Sequence, residues 1–311
     1  MPFDRRSRFS WRLRTRELAL GGRTLVMGIL NVTPDSFSDG GRFFAREAAV
    51  DQALRMLDEG ADVIDVGGES TRPNAVALTP EEEQARVLPV LRGILAAWPE
   101  AIVSIDTYHA ETARAAVNAG AEIVNDVSGH TWDAAMAATC AELRCGVVVM
   151  HTRGLPHEWR TLPALADGEA VALVMEGLRV QTEAAMEAGV TRDAIVVDPG
   201  FGFGKILGEN YPLLAGLDRL GALGFPVMAG VSRKSFLGDT LRQAAVENGA
   251  ASSSSVAEHG LEAALATSIA NTAAILGGAH ILRVHDVLPA RQTAAIADRI
   301  LDATNSSASG I

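Results

Sequence analysis

The sequence predicts an α/β fold, a (β/α)8 TIM barrel with a short N-terminal hairpin extension. Three observations carry this. Eight short apolar runs recur at residues 25–32, 63–70, 103–107, 123–128, 147–152, 195–202, 226–233 and 280–286. They are apolar along their whole length, as parallel strands covered on both faces must be. Helical stretches separate them, and each run ends in polar or charged residues, at the tips where this fold carries its active site. The chain has 311 residues, more than the roughly 250 that a barrel takes.

The elements follow in order. At the N-terminus Trp11, Leu13 and Thr15 alternate with Arg12, Arg14 and Arg16, and Gly21-Gly22 supplies a turn. This period of two reads as a hairpin leading into the barrel, in preference to an Arg-rich transit peptide. A helix over 46–59 puts Val50, Ala53, Leu54 and Leu57 on one face and stops at Gly60. Thr79, Pro80, Glu81 and Glu82 open the next helix with a cap, a first-turn proline and acids at the positive dipole end. Helices over 110–119, 170–188 and 263–276 each end at a glycine. The alternation is unbroken, which predicts an extension over 1–22, a single barrel over 23–304 and a flexible tail over 305–311. Two segments depart from it. Residues 155–168 carry Pro156, His157, Trp159 and Pro163, and residues 248–258 hold four serines at 252–255, reading as a solvated insertion.

Composition excludes several classes. A net charge of −11 argues against nucleic-acid binding, which needs a basic face. No apolar run reaches the ~18 residues of a membrane span, and no secretory h-region opens the chain. Cys140 and Cys145 fit no zinc spacing and read as small core residues of a reducing compartment, the cytoplasm.

The densest signal is the tail NVTPDSFSDGG at 31–41. Asn31 leaves its strand at the barrel mouth. Pro34 and Gly40-Gly41 make the rest a loop able to fold over a substrate and exclude water. MGILNVTPDSFSDGG and GADVIDVGGESTRP resemble the two signatures of dihydropteroate synthase. The resemblance continues through SIDT, VNDVSG, DPGFGFGK, GVSRKSFLG and RVHDV, in that order, across residues 18–290. It implies condensation of 6-hydroxymethyl-7,8-dihydropterin pyrophosphate with p-aminobenzoate, giving pyrophosphate and 7,8-dihydropteroate for folate synthesis. It also implies a Mg2+ cofactor, sulfonamide inhibitors and a homodimer.

The residues suit that chemistry. A pterin edge of adjacent donors and acceptors needs buried carboxylates and amides. By resemblance Asp106, Asn125, Asp198 and Lys234 hold the ring and Met150 packs its face. A helix N-cap is the plain alternative for each Asp or Asn. A pyrophosphate leaving group needs positive charge where negative charge develops. Arg283 and His285 alternate on one strand and so point the same way, although Arg283 would also serve as an ion-paired barrel residue. Asn31, Thr71 and Arg72 join them by resemblance, Asn31 also as a Mg2+ ligand with Asp106 assisting. The resemblance also implies that Phe37, Thr71, Arg72, Pro73, Phe203, Lys234 and Ser235 wall the p-aminobenzoate site. Catalysis is assigned to Asp106, Lys234, Arg283 and His285. The mechanism expected is dissociative: the C–O bond to pyrophosphate breaks first and the aniline nitrogen then attacks the pterin methylene cation. Lys205 reads as a helix-start or rim lysine, and Arg233 with Lys234 would otherwise be an exposed basic pair.

MHTRG at 150–154 departs from the family, which more often has a second methionine after the histidine, so His151 and His157 invite reading as extra ligands. Two rivals remain. A methyltetrahydrofolate-dependent methyltransferase would share the pterin carboxylates but has no use for the anion site. A non-catalytic pterin-binding paralogue would bind without turnover.

Overall fold

The computed structural model describes residues 6–32, 41–69, 77–166, 168–247 and 256–306. Two short strands, β1 (Phe9–Arg12) and β2 (Glu17–Leu20), pair antiparallel with Arg12 opposite Glu17. The barrel follows: β3 (Leu25–Asn31), β4 (Val63–Gly67), β5 (Val103–Asp106), β6 (Ile123–Asp126), β7 (Gly146–Met150), β8 (Ile195–Asp198), β9 (Met228–Ala229) and β10 (Ile281–Val284). Every neighbouring pair in this sheet is parallel, β10 returns to β3, and a bridge between Val197 and Val227 joins β8 to the start of β9. The ring is therefore closed, the (β/α)8 arrangement expected. Strands are shorter than the apolar runs because the polar tails turn away once they clear the ladder; β9 keeps two paired residues of its run.

Helices α1 (Gly41–Asp58), α2 (Pro80–Ala97), α3 (Ala110–Asn118), α4 (Met136–Leu143), α5 (Glu169–Glu187), α6 (Asn210–Ala215), α7 (Ser235–Glu247), α8 (Val256–Leu276) and α9 (Val287–Ser306) surround it. The start of α2 matches the sequence signal. The Thr79 hydroxyl accepts the Glu82 N–H at 3.3 Å and the Glu82 carboxylate accepts the Thr79 N–H at 3.0 Å, a reciprocal capping box. Two helices begin earlier than expected. α1 starts at Gly41 rather than at 46, and α8 starts at Val256 rather than at 263, within the segment read as an insertion. The Ala-, Glu- and Leu-rich stretch from 256 favours helix. Residues 248–255 lie outside the described residues.

Side chains alternate along each strand. Outward residues such as Val26, Ile64, Val124, Val147 and Leu282 join helix residues such as Val87, Leu91 and Leu178 in one large core. Inward residues at the N-terminal end, Met27, Val63, Ile123, Val148 and Val196, form a second core closed from below by Trp11, Leu13 and Leu20 of the hairpin. The hairpin turn itself lies at Leu13–Arg16, where the Leu13 N–H bonds the Arg16 carbonyl at 2.8 Å; Gly21 makes the corner into β3. Trp11 is fully buried and donates Nε1–H to the Ala194 carbonyl at 2.8 Å. Gly146 leaves the space that Leu13 fills, since a Cβ there would stand 2.7 Å from Leu13 Cδ2. The N-terminal arginines hold this plug in place. Arg6, buried, donates to Thr24 Oγ1 at 2.6 Å and the Ala279 carbonyl at 2.9 Å and pairs with Asp298 at 2.5 Å. Arg12 and Arg16 pair with Asp193 and Glu122.

Candidate active site

With the lower barrel filled by apolar side chains, the polar inward residues collect at the C-terminal end. Asp65 on β4 is completely buried. Its Oδ2 accepts Arg283 Nε–H at 2.7 Å and Asn125 Nδ2–H at 2.9 Å, so one carboxylate ties β4, β6 and β10 together. The Arg283 guanidinium also donates through Nη2 to Asp106 on β5. Burial alone would weaken the Arg283 charge, and Asp65 and Asp106 more than offset it, holding the group protonated. The remaining guanidinium donors are not taken up by these two carboxylates. Asp106 is pushed up to about 7, first by burial and then by Asp65 and Glu83, against the pull of Arg283.

Opposite this cluster stands Asp198 at the tip of β8. Its Oδ1 accepts the Gly200 N–H at 2.7 Å, and burial raises its pKa. Gly200, Gly202 and Gly204 take positive φ of 64°, 78° and 67°. A Cβ on Gly200 would lie 2.0 Å from the His151 carbonyl, so only glycine lets this loop pass. Lys205 closes the loop from behind. Buried, it donates to the Gly200, Phe203 and His151 carbonyls at 2.8, 3.2 and 3.3 Å, and burial lowers its pKa to about 7. It is thus a main-chain anchor rather than the helix-start or rim lysine expected.

The loop presents Phe203, whose ring lies 4.1 Å from Lys234 Nζ. Burial and the Arg283 charge lower Lys234 to about 8, while Asp198 and Asp106 oppose that shift. Lys234 reaches this place through a sharp turn. Arg233 adopts a positive φ of 55°, its N–H bonds Thr267 Oγ1 at 3.1 Å, and its exposed guanidinium pairs with Asp286 at 2.6 Å. Arg233 therefore points away from Lys234's partners and braces the turn. Met150, Val127 and Phe203 form an apolar wall backed by Tyr108, Trp132 and Trp159. Two inward positions at this end are glycine. A Cβ on Gly67 would meet Asp106 at 3.4 Å, and one on Gly230 would meet Asp198 at 3.6 Å and Arg283 at 3.9 Å. Their missing side chains leave room beside all three charged groups for a flat ring.

His285 lies one strand step beyond Arg283, with Nδ1 3.0 Å from Ser232 Oγ. Burial and then Arg233 and Arg283 lower it to about 4, so it is neutral at pH 7. Asn31 is exposed at the tip of β3, next to Gly67 in register, and Ser235 opens α7, exposed. Phe37, Thr71, Arg72 and Pro73 lie outside the described residues.

The structure thus brings Asp106, Asn125, Met150, Asp198, Phe203, Lys234, Arg283 and His285 to one end of the barrel. Asp65 and Ser232 belong to the same cluster and were not singled out from sequence. The signal for Asp65 was a carboxylate at an inward position of an otherwise apolar strand. His151 does not join them. It is buried against α5, where Gly177 makes room for its ring, and burial keeps it neutral with a pKa lowered to about 3. His157 is exposed in the following loop.

Comparison with known proteins agrees with this arrangement. Residues 27–285 match the family described as pterin binding enzyme. The dihydropteroate synthase of Synechocystis sp. is 40% identical over 90% of this chain and 91% of its own length. The structure of Xanthomonas albilineans dihydropteroate synthase with 4-aminobenzoic acid superposes with a TM-score of 0.81 at 39% identity, covering 94% of this chain and 98% of that one. That of Yersinia pestis dihydropteroate synthase with a sulfonamide drug gives 0.79 at 34% identity, covering 96% and 100%. The chain belongs to the dihydropteroate synthase family of pterin-binding enzymes.

Proposed function

We propose that the chain condenses 6-hydroxymethyl-7,8-dihydropterin pyrophosphate with p-aminobenzoate, releasing pyrophosphate and forming 7,8-dihydropteroate for folate biosynthesis. The observation that carries this is the convergence of Asp106, Asn125, Asp198, Lys234 and Arg283 on one barrel end of a chain 40% identical to a dihydropteroate synthase. Asp106, Asn125 and Asp198 pair the donor–acceptor edge of the pterin, Lys234 supplies a further donor, and Met150 covers the ring. Arg283, through the donors left over from Asp65 and Asp106, and neutral His285 bind the pyrophosphate, joined by Asn31, Thr71 and Arg72. Phe203, Lys234 and Ser235 line the p-aminobenzoate site, completed by Phe37, Thr71, Arg72 and Pro73.

Among the described residues no group of three or more His, Cys, Asp or Glu side chains is placed to hold a metal. Mg2+ needs no such group, since it binds through one or two protein oxygens with substrate phosphates and water. Asn31 would hold it, with Asp106 assisting; Gly67 lies between the two in register and adds no side chain. Bound there, Mg2+ would neutralise charge on the pyrophosphate. The residues orient p-aminobenzoate, a weak nucleophile, against the methylene carbon, and much of the rate comes from that positioning.

The chain acts as a homodimer. Leu261, Leu265 and Ile269 repeat along α8 at 73%, 62% and 64% exposure, and Leu288, Ile296 and Ile300 continue the apolar surface on α9, which packs against α8. Adjacent exposed apolar rows of this kind mark an interface. Sulfonamides, competing with p-aminobenzoate, inhibit it. The enzyme works in the cytoplasm, which suits its two buried free cysteines, and among the described residues no helix is long and apolar enough to cross a membrane.

Pyrophosphate release tests the reading. With dihydropterin pyrophosphate and Mg2+, release should require p-aminobenzoate and collapse in Lys234→Ala and His285→Ala. Pterin binding without release would instead identify a non-catalytic paralogue.

A further inference from the structure

Ser232 and His285 meet at the tips of adjacent strands, beyond β9 and β10. Ser232 is buried, at 4% exposure. Its Oγ accepts the main-chain N–H of His285 at 3.2 Å and lies 3.0 Å from Nδ1 of the same residue. A serine hydroxyl carries one proton. Among the described residues, the only acceptor that Oγ meets is His285 Nδ1. Were Nδ1 protonated instead, Oγ would accept two bonds and its own buried proton would have no acceptor, a costly arrangement. The hydroxyl proton therefore points at Nδ1.

We propose that Ser232 is a positioning residue that fixes His285 as the Nε2–H tautomer, so that Nε2 donates a hydrogen bond to an anionic oxygen in the barrel mouth. The anionic partner rests on the reading of His285 as a pyrophosphate ligand; the tautomer does not. The neutral ring follows from its surroundings. Arg233, Arg283 and Lys234 disfavour a further positive charge, and Asp286 opposes them less than burial and the cations combined. Without the serine, a neutral imidazole has two tautomers, and one of them presents a lone pair to the anion and repels it.

The same sheet contains a control. His280, at the foot of β10, accepts the Val227 N–H at Nδ1, 3.1 Å, and so donates from Nε2 to the Ser7 carbonyl at 3.0 Å. Its tautomer is set by main chain and reports that the barrel is intact.

The test is long-range proton–nitrogen correlation on the full chain labelled with 15N-histidine, His285 being assigned by the signal lost in His285→Gln. Wild type should show Nε2–H for both His285 and His280. Ser232→Ala should mix the tautomers at His285 while leaving His280 unchanged, and Ser232→Thr should restore the pattern. Binding of inorganic pyrophosphate by calorimetry should weaken roughly tenfold in Ser232→Ala and recover in Ser232→Thr. An Nδ1–H or mixed His285 in wild type, or a His285 signal unmoved by Ser232→Ala, overturns the proposal. A tautomer that responds as expected, with pyrophosphate binding unaffected in His285→Gln, overturns the anion role alone.

Discussion

The Lys234 ammonium sits 4.1 Å from the centroid of the Phe203 ring, so the loops that follow β8 and β9 meet through a cation–π contact. Such a contact contributes about 0.5–2 kcal/mol. Phe203→Leu should therefore raise KM for p-aminobenzoate several-fold, while Phe203→Tyr should leave it near wild type. Steady-state kinetics at saturating dihydropterin pyrophosphate reads this directly.

The pH profile of kcat/KM should be a narrow bell. Asp106 ionises near 7 and Lys234 loses its proton near 8. Activity rises as pH climbs through the first value and falls as it passes the second. The two groups share Arg283 as a neighbour, so the limbs report apparent values of the coupled set. Asp106→Asn should abolish the acid limb, and Lys234→Arg should move the alkaline limb upward. A flat profile between pH 6 and 9 would refute both assignments.

Asp65→Ala leaves the Arg283 guanidinium with Asp106 as its remaining carboxylate and Asn125 Nδ2 without its acceptor. Removing one member of a buried charged pair costs about 3–5 kcal/mol. Urea denaturation should show a loss of that size, and Asp65→Asn, which keeps an acceptor for Asn125, should lose less.

The placement of these residues shows what can be read from a linear sequence. The alternation along the eighth run put Arg283 and His285 on one side, and the polar strand tips put Asp106, Asn125 and Asp198 at one end. Both follow from backbone periodicity alone. The pairing of Arg283 with Asp65 does not, because it depends on the register between β10 and β4 across β3. The same holds for Lys205, whose partners are carbonyls turned toward it by three left-handed glycines. Helix starts were also missed at Gly41 and Val256. Gly40-Gly41 reads as a turn and hides the first start, whereas Ser255 with Glu258 three residues on is a capping-box signal that the serine run obscured.

Acid should destabilise the fold partly through His280. Burial, and then the nearby Arg6 charge, lower it to about 4. Its unfolded form titrates near 6.5. Between those values the unfolded chain binds the extra proton, so stability falls as pH drops through that window. His280→Gln should unfold with a smaller difference between pH 7 and pH 5 than wild type, measured by urea titration at each pH.

The buried Arg6 has a consequence for the order of folding. Its partners are Thr24 nearby and, 273 and 292 positions further along, the Ala279 carbonyl and Asp298, so it is fully satisfied only when distant segments have met. β3 likewise waits for β10 to fill its open edge. Closure of the barrel and completion of its plug therefore depend on the same distant segments coming together. Contacts between residues this distant in sequence form slowly, so sealing of the barrel should be a late, slow step of folding.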